Sequence, residues 1–217
     1  MTTHIRLGPA LSLAIKFTYY KITSVVVLSV AFWAVSLAVV TVGPAILALS
    51  ETIRTLPSGN PSEREVLRTF LRSVRKNRRR GLPITALVVF VPLVTGAYLA
   101  LALEGGSVPA LLGAAVGVYL CLCSLFVSLR VATITVDHRS WGLRRSVGYL
   151  PETVGRAFDV AVLYTCLLAL SVAVAVSFPP ILVLLAPGFL VVFEGVLYDE
   201  LEANDPSRYK TSLARRT

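Results

Sequence analysis

The chain has 217 residues, 55% of them hydrophobic, with a mean hydropathy of +0.75 and a formal charge of +9. That much apolar surface cannot be hidden in one soluble core of this size, which excludes an ordinary soluble domain and predicts one integral membrane domain over 1–217. Cys121, Cys123 and Cys166 all fall in apolar segments, which argues against a disulfide framework, and His4 and His138 are too far apart in sequence to predict a histidine metal site.

Leu7 to Tyr20 is apolar with Arg6, Lys16 and Lys21 around it, and is expected as an interfacial helix with Tyr19 and Tyr20 at headgroup level. Ile22 to Val42 carries no charge and is long enough to span. Its apolar run exceeds the usual core of a signal peptide, and no convincing cleavage site follows. Pro44 to Leu56 is ambiguous: roughly 20 Å of helix falls short of the approximately 30 Å hydrocarbon core. It is either a short returning segment or a kinked extension of the first span. Glu51 and Arg54, at i and i+3, can pair on it.

A basic amphipathic helix is predicted within 57–81. Asn60 is the expected cap, Pro61 suits the first helical position, Glu63 can close a capping box, and Gly81 is the expected stop. Val66, Leu67, Phe70, Leu71 and Val74 form an apolar stripe, and arginines fill much of the remainder. The stripe is too narrow to cross lipid. It predicts a helix lying on the inner leaflet, with Arg68, Arg72, Arg75, Lys76 and Arg79 on anionic lipid headgroups. Arginine runs also bind nucleic-acid phosphates, but the adjoining apolar segments favour the lipid bilayer, and no nucleic-acid partner is expected.

Leu82 to Leu103 is a second span with Pro92 inside it, and Pro109 to Leu129 a third, ending at Arg130, with Gly113 and Gly117 as a face for close helix packing. Val131 to Arg156 is polar and basic, with Trp141 and Tyr149 as anchors. Ala157 to Phe178 spans again, and Ile181 to Tyr198 is the last span, broken at Pro187-Gly188. The fold class is therefore all-α, a polytopic membrane helical bundle of five or six segments with amphipathic cytoplasmic helices. Lys and Arg crowd 54–80, 139–156 and 208–216 and are absent from 104–109 and 178–180. By the positive-inside bias the basic loops and the C-terminus face the cytoplasm of a plasma-membrane protein. The N-terminus joins them if Pro44 to Leu56 returns.

Two features bear on function. Ionisable groups inside apolar runs are costly, so Glu194, near the cytoplasmic end of the last span, and Arg130, at the same face, form a candidate intramembrane pair. Asp159 near Arg156 is a further candidate, and Tyr119, Ser124, Tyr164, Thr165 and Ser171 can form a polar seam. No phosphate-binding loop, metal-ligand cluster or nucleophile with its base is found, so neither catalytic residues nor a cofactor are expected.

The second feature is a pattern: an apolar span ending in Thr41, Gly43, Pro44 and Ala45, then Ala48 and Leu49, then a polar linker and a helix with Phe70, Lys76 and Asn77. It resembles the YesL-type integral membrane family, a domain of unknown function, over roughly residues 20–160. The resemblance implies a polytopic plasma-membrane protein whose relatives often accompany carbohydrate-uptake systems. Combined with the absent chemistry, it predicts a non-enzymatic accessory or regulatory component, partnered by another membrane complex such as a solute-uptake system. A small transporter or channel is the alternative, since proline and glycine breaks within spans can line a site.

Overall fold

A computed structural model describes residues 7–56, 62–105, 107–138, 143–156 and 179–203, and among them every regular element is helical. In chain order these are α1 (Leu7–Tyr20), α2 (Ile22–Ser36), a 3-10 turn (Val39–Thr41), α3 (Val42–Arg54), α4 (Glu63–Gly105), α5 (Val108–Asp137), α6 (Leu143–Arg156) and α7 (Pro179–Ala203).

The short helix α3 is the centre. Gly43 through Ser50, Thr52 and Ile53 are all buried, so the helix is enclosed on every side by α2, α4, α5 and α7. Its Leu47, Leu49, Ile46 and Ile53 side chains are each worth about 1.5–3 kcal/mol by removal from water. Pro44 is tolerated because it sits in the first turn, where backbone N–H groups have no intrahelical partner. Of the two expectations for Pro44 to Leu56, the extension of α2 does not hold: the segment is a separate core helix, set off from α2 by the turn at Val39–Thr41.

The preceding apolar run does not form one span. The helix stops at Ser36, and fifteen residues give about 22 Å, short of the hydrocarbon core. The chain then turns through Val39–Thr41, where the Thr41 hydroxyl donates back to the carbonyls of Val35 and Ala38. Val35 lies in the last turn of α2, where carbonyls have no intrahelical partner. On the other side, Ser12–Tyr20 of α1 meets α2 at 88°.

Helix α4 overturns the expected stop at Gly81. Its 43 residues run unbroken from Glu63 to Gly105, with Pro83 and Pro92 inside. Its cap is Ser62, whose Oγ accepts the Glu65 N–H at 3.4 Å; Asn60 and Pro61 lie outside the described residues. The buried positions of its first half are Val66, Phe70, Ser73, Asn77, Gly81, Ile84 and Thr85, a single stripe against α3. The predicted stripe is thus half right. Val66 and Phe70 are buried and Val74 is half-buried, but Leu67 and Leu71 are exposed. Two polar residues, Ser73 and Asn77, take the inward places.

Helix α5 also outruns its predicted end at Leu129. It continues to Asp137, with Arg130 through Thr135 all buried. Helices α4 and α5 form an antiparallel hairpin: Gly113 faces Tyr98, and Gly117 faces Thr95, so close that a Cβ would lie 2.6 Å from either neighbour. The predicted small-residue face therefore packs within the chain. Beyond Leu82 on α4 and before Cys121 on α5, the hairpin exposes large apolar side chains, among them Phe90, Leu93, Leu101, Leu112 and Val116. Both helices are long and apolar enough to cross a membrane, and a third span arises if the bent α1–α2 pair is counted as one.

The last described helix is continuous through Pro187-Gly188, where a break was expected. The Gly188 N–H donates to Ser29 Oγ of α2 at 3.1 Å. Ala157 to Phe178, with Asp159, Tyr164, Thr165, Cys166 and Ser171, lies outside the described residues, as does Trp141.

Candidate functional site

Two polar arrangements flank α3. The first is where its N-terminal turn crosses α4. A Cβ at Gly43 would lie 2.1 Å from the Gly81 carbonyl oxygen, and one at Gly81 would lie 2.2 Å from the Pro44 nitrogen. Backbone touches backbone here, so only glycine fits on either side. The Gly43 N–H donates to Thr85 Oγ1 at 2.9 Å. The Thr85 hydroxyl proton is shared between the carbonyls of Val40 at 3.2 Å and Gly81 at 3.3 Å. Gly81 lies mid-helix because α3 must approach there, at a cost of about 1 kcal/mol relative to alanine.

Two turns further along α3, Glu51 meets the same helix. Its Oε2 accepts from the Ser73 hydroxyl and from Asn77 Nδ2 at 3.0 Å, and its Oε1 accepts from Lys76 Nζ at 3.0 Å. Asn77 also donates to Ser73 Oγ at 3.1 Å. Partial burial pushes the Glu51 carboxyl up, but the hydrogen bonds from Ser73, Lys76 and Asn77 and the Lys76 charge outweigh it and hold the pKa below its ordinary 4.5. Of the residues chosen from the sequence as a motif, Gly43, Pro44, Lys76 and Asn77 make these contacts between α3 and α4, Ala45 is buried in the core, and Thr41 instead bonds to the carbonyls of Val35 and Ala38. Phe70 is fully buried in the same contact layer. Lys76, expected on lipid, is occupied by Glu51, and Arg68, Arg72, Arg75 and Arg79 are exposed.

The second arrangement joins α3, α5 and α7. Arg130 Nη1 lies 3.0 Å from Glu194 Oε1, and the residues are 1% and 0% exposed. The pair predicted from sequence is therefore present. Arg130 Nε and both Glu194 carboxylate oxygens have no directional hydrogen bond among the described residues. The Arg130 guanidinium carbon is 5.8 Å from the centre of the Phe126 ring and 5.6 Å from that of Tyr198. Tyr198 is shared with Arg54, at 5.4 Å. Arg54 in turn reaches Asp137 and Asp199, each at 2.9 Å. The expected Glu51–Arg54 pair does not form: the two residues point to different helices. Asp137 also lies 3.1 Å from His138 Nδ1.

The result is a ladder of charge and aromatic faces tying together the ends of α3, α5 and α7. A dehydrated Arg–Glu pair with ring faces around it fixes helices in register. It offers no nucleophile beside a base. Among the described residues no group of three His, Cys, Asp or Glu side chains can hold a metal ion. Of the remaining seam candidates, Tyr119 is exposed, and Ser124 donates to the Cys121 carbonyl of its own helix at 2.9 Å. Sequence reasoning missed Arg54, Asp137, Asp199 and Tyr198 as one group. Their only signal was that each ends an apolar run at the same predicted face.

Among the described residues, fold and site together define an all-helical protein with two helices long and apolar enough to span a membrane, braced by buried polar contacts. Over residues 25–97, about a third of its length, it matches the protein family described as Protein of unknown function, DUF624. No curated protein and no solved structure gives a significant match.

Proposed function

We propose that this is a multi-pass plasma-membrane protein of the YesL type, acting as a non-catalytic accessory or regulatory component of another membrane complex, a carbohydrate- or solute-uptake system being the favoured one. The observation that carries the reading is charge neutralisation. The two buried charges among the described residues, Arg130 and Glu194, face each other, which leaves neither free to bind a solute. The groove of about 330 Å³ between α4 and α5 is lined mainly by apolar side chains such as Phe90, Val94 and Leu120. Continuous helix through Pro92 and Pro187-Gly188 also speaks against the unwound backbone that transport sites use.

In this reading the hairpin turn at Gly105–Ser107 faces outward, and the basic half of α4, the N-terminus and the C-terminus face the cytoplasm. Arg78, Arg79 and Arg80 then fall beside the start of the apolar segment, at the level of anionic headgroups. Copurification in mild detergent tests the role: a defined uptake complex should accompany the protein in stoichiometric amount. If the purified protein alone moves a solute across liposomes, and Glu194→Gln abolishes the flux while the fold survives, the accessory reading fails and a transporter takes its place.

A further inference from the structure

The first half of α4 has one face against α3 and another left open. On the open face Arg64, Arg68, Arg72, Arg75 and Arg79 recur at steps of three and four, forming one row along the helix. Beside the row lie Leu67 and Leu71, 37% and 47% exposed. Among the described residues no carboxylate pairs with any arginine of this row; the ion pairs of the first half of α4 end with Lys76 and Glu51. Glu63 and Glu65 are the only acids on this half of the helix.

Because α4 is unbroken, this row cannot lie flat on the leaflet while Leu82 to Gly105 crosses it. Arg72 is about 15 Å below Leu82 along the axis, and Arg64 about 27 Å. The headgroup layer on one side is roughly 5–7 Å deep, and a helix tilt of about 20° changes the first distance by about 1 Å. Only the end of the row nearest Leu82 reaches lipid. The remainder stands in water, its guanidinium groups flanking exposed leucines and paired with no carboxylate among the described residues.

We propose that Arg64, Arg68, Arg72 and Arg75 with Leu67 and Leu71 form the docking surface for an acidic amphipathic helix of a partner protein. Leu67, Leu71 and the half-buried Val74 follow the three-and-four spacing of a short coiled-coil seam, and Arg68 and Arg75 flank it. Planar guanidinium groups favour bidentate carboxylates, and the leucines supply the apolar core such a contact needs. A phosphate backbone would use the arginines and leave the leucines in water. The proposal rests on the accessory reading and names the chemistry of the partner at its contact.

The test places a photoreactive phenylalanine analogue at position 71 of the full chain in its native host, with and without Arg68→Glu/Arg75→Glu. The expected adduct is to a segment of another protein carrying Asp or Glu at helical spacing. Charge reversal should lower the yield at least about tenfold while membrane insertion and thermal midpoint stay unchanged. Adducts to lipid, nucleic acid, a second copy of this chain or an acid-free segment overturn the proposal, as does a yield indifferent to charge reversal or no adduct. If the charge-reversed chain still copurifies with its complex, the accessory role stands and this surface is not the contact.

Discussion

Replacing Glu194 by Gln removes the counter-charge of Arg130 without changing the shape of the site. The guanidinium stays enclosed, 1% exposed, with two ring faces for company. Stranding one member of a buried pair costs about 3–5 kcal/mol. Each ring face returns about 0.5–2 kcal/mol, so Glu194→Gln falls at the low end of that range. Arg130→Gln loses the ring contacts too and falls at the high end. The double variant strands nothing, so it should lose less than the sum, by about 3 kcal/mol. A sharper case follows from the missing directional hydrogen bonds at Arg130 Nε and Glu194. Dehydration of this pair is incompletely offset, so Arg130→Met with Glu194→Met should match the native stability or exceed it by about 1–4 kcal/mol. Thermal midpoints and denaturant titrations in one detergent measure all four. Additive single losses, or a double methionine variant as weak as either glutamine variant, would show that the pair carries no coupling.

Three further outcomes are expected. Gly43→Ala and Gly81→Ala each force a Cβ into backbone at 2.1 and 2.2 Å and should destabilise by about 3 kcal/mol. Gly96→Ala, with nothing within 4 Å, should be neutral or gain up to about 1 kcal/mol; equal losses at all three in a thermal melt would dismiss the close approach. Glu51 has a folded pKa below its ordinary 4.5, so its contribution is complete above that value and declines as pH falls through the lower folded one. Glu51→Gln should abolish that acid-side decline in melts run from neutral pH downward, and an unchanged profile would assign the decline to other groups. In a cysteine-free chain, an impermeant thiol reagent on intact cells should label a cysteine at Ser107 and spare those at Ser58, Ser140 and Ser212; labelling at 140 would invert the orientation.

The Arg130–Glu194 pair was legible because charges in apolar runs have so few affordable partners that membrane depth nearly selects them. The ends of helices were less legible, since hydropathy registers composition and not where hydrogen bonding stops. Ile22 to Val42 is uncharged throughout, yet α2 ends at Ser36 and the chain turns there, with the Thr41 hydroxyl donating to the carbonyls of Val35 and Ala38. Gly81 shows the same limit from the other side. A glycine after a basic helix has the pattern of a stop, but this one admits Pro44 of another helix, a partner that local sequence does not reveal. The inward places of Ser73 and Asn77 could not be read from the helix alone because their partner, the Glu51 carboxylate, arrives from α3.

The family match over residues 25–97 runs from α2 through most of the apolar part of α4. It contains Gly43, Pro44, Glu51, Ser73, Lys76, Asn77, Gly81 and Thr85, the residues of the clasp between α3 and α4. It contains only one member of the charge ladder, Arg54; Asp137, Asp199, Arg130 and Glu194 all lie beyond it. The matched segment is therefore a unit with its own physical logic: a core helix pinned to the root of a long helix by a glycine contact at one end and a carboxylate at the other. The ladder ties the ends of α5 and α7 to that unit, in addition to the close packing of α5 on α4 and the Gly188–Ser29 bond of α7 to α2. A lesion in the clasp should release α3 and with it Arg54, so the ladder fails as a consequence. A lesion in the ladder leaves the clasp's own contacts on α4 intact. Partial proteolysis of Gly81→Ala and Glu194→Gln chains distinguishes the two orders. The first should open sites in both α3 and α7, and the second in α7 alone; the reverse pattern would make the ladder, not the clasp, the foundation of the fold.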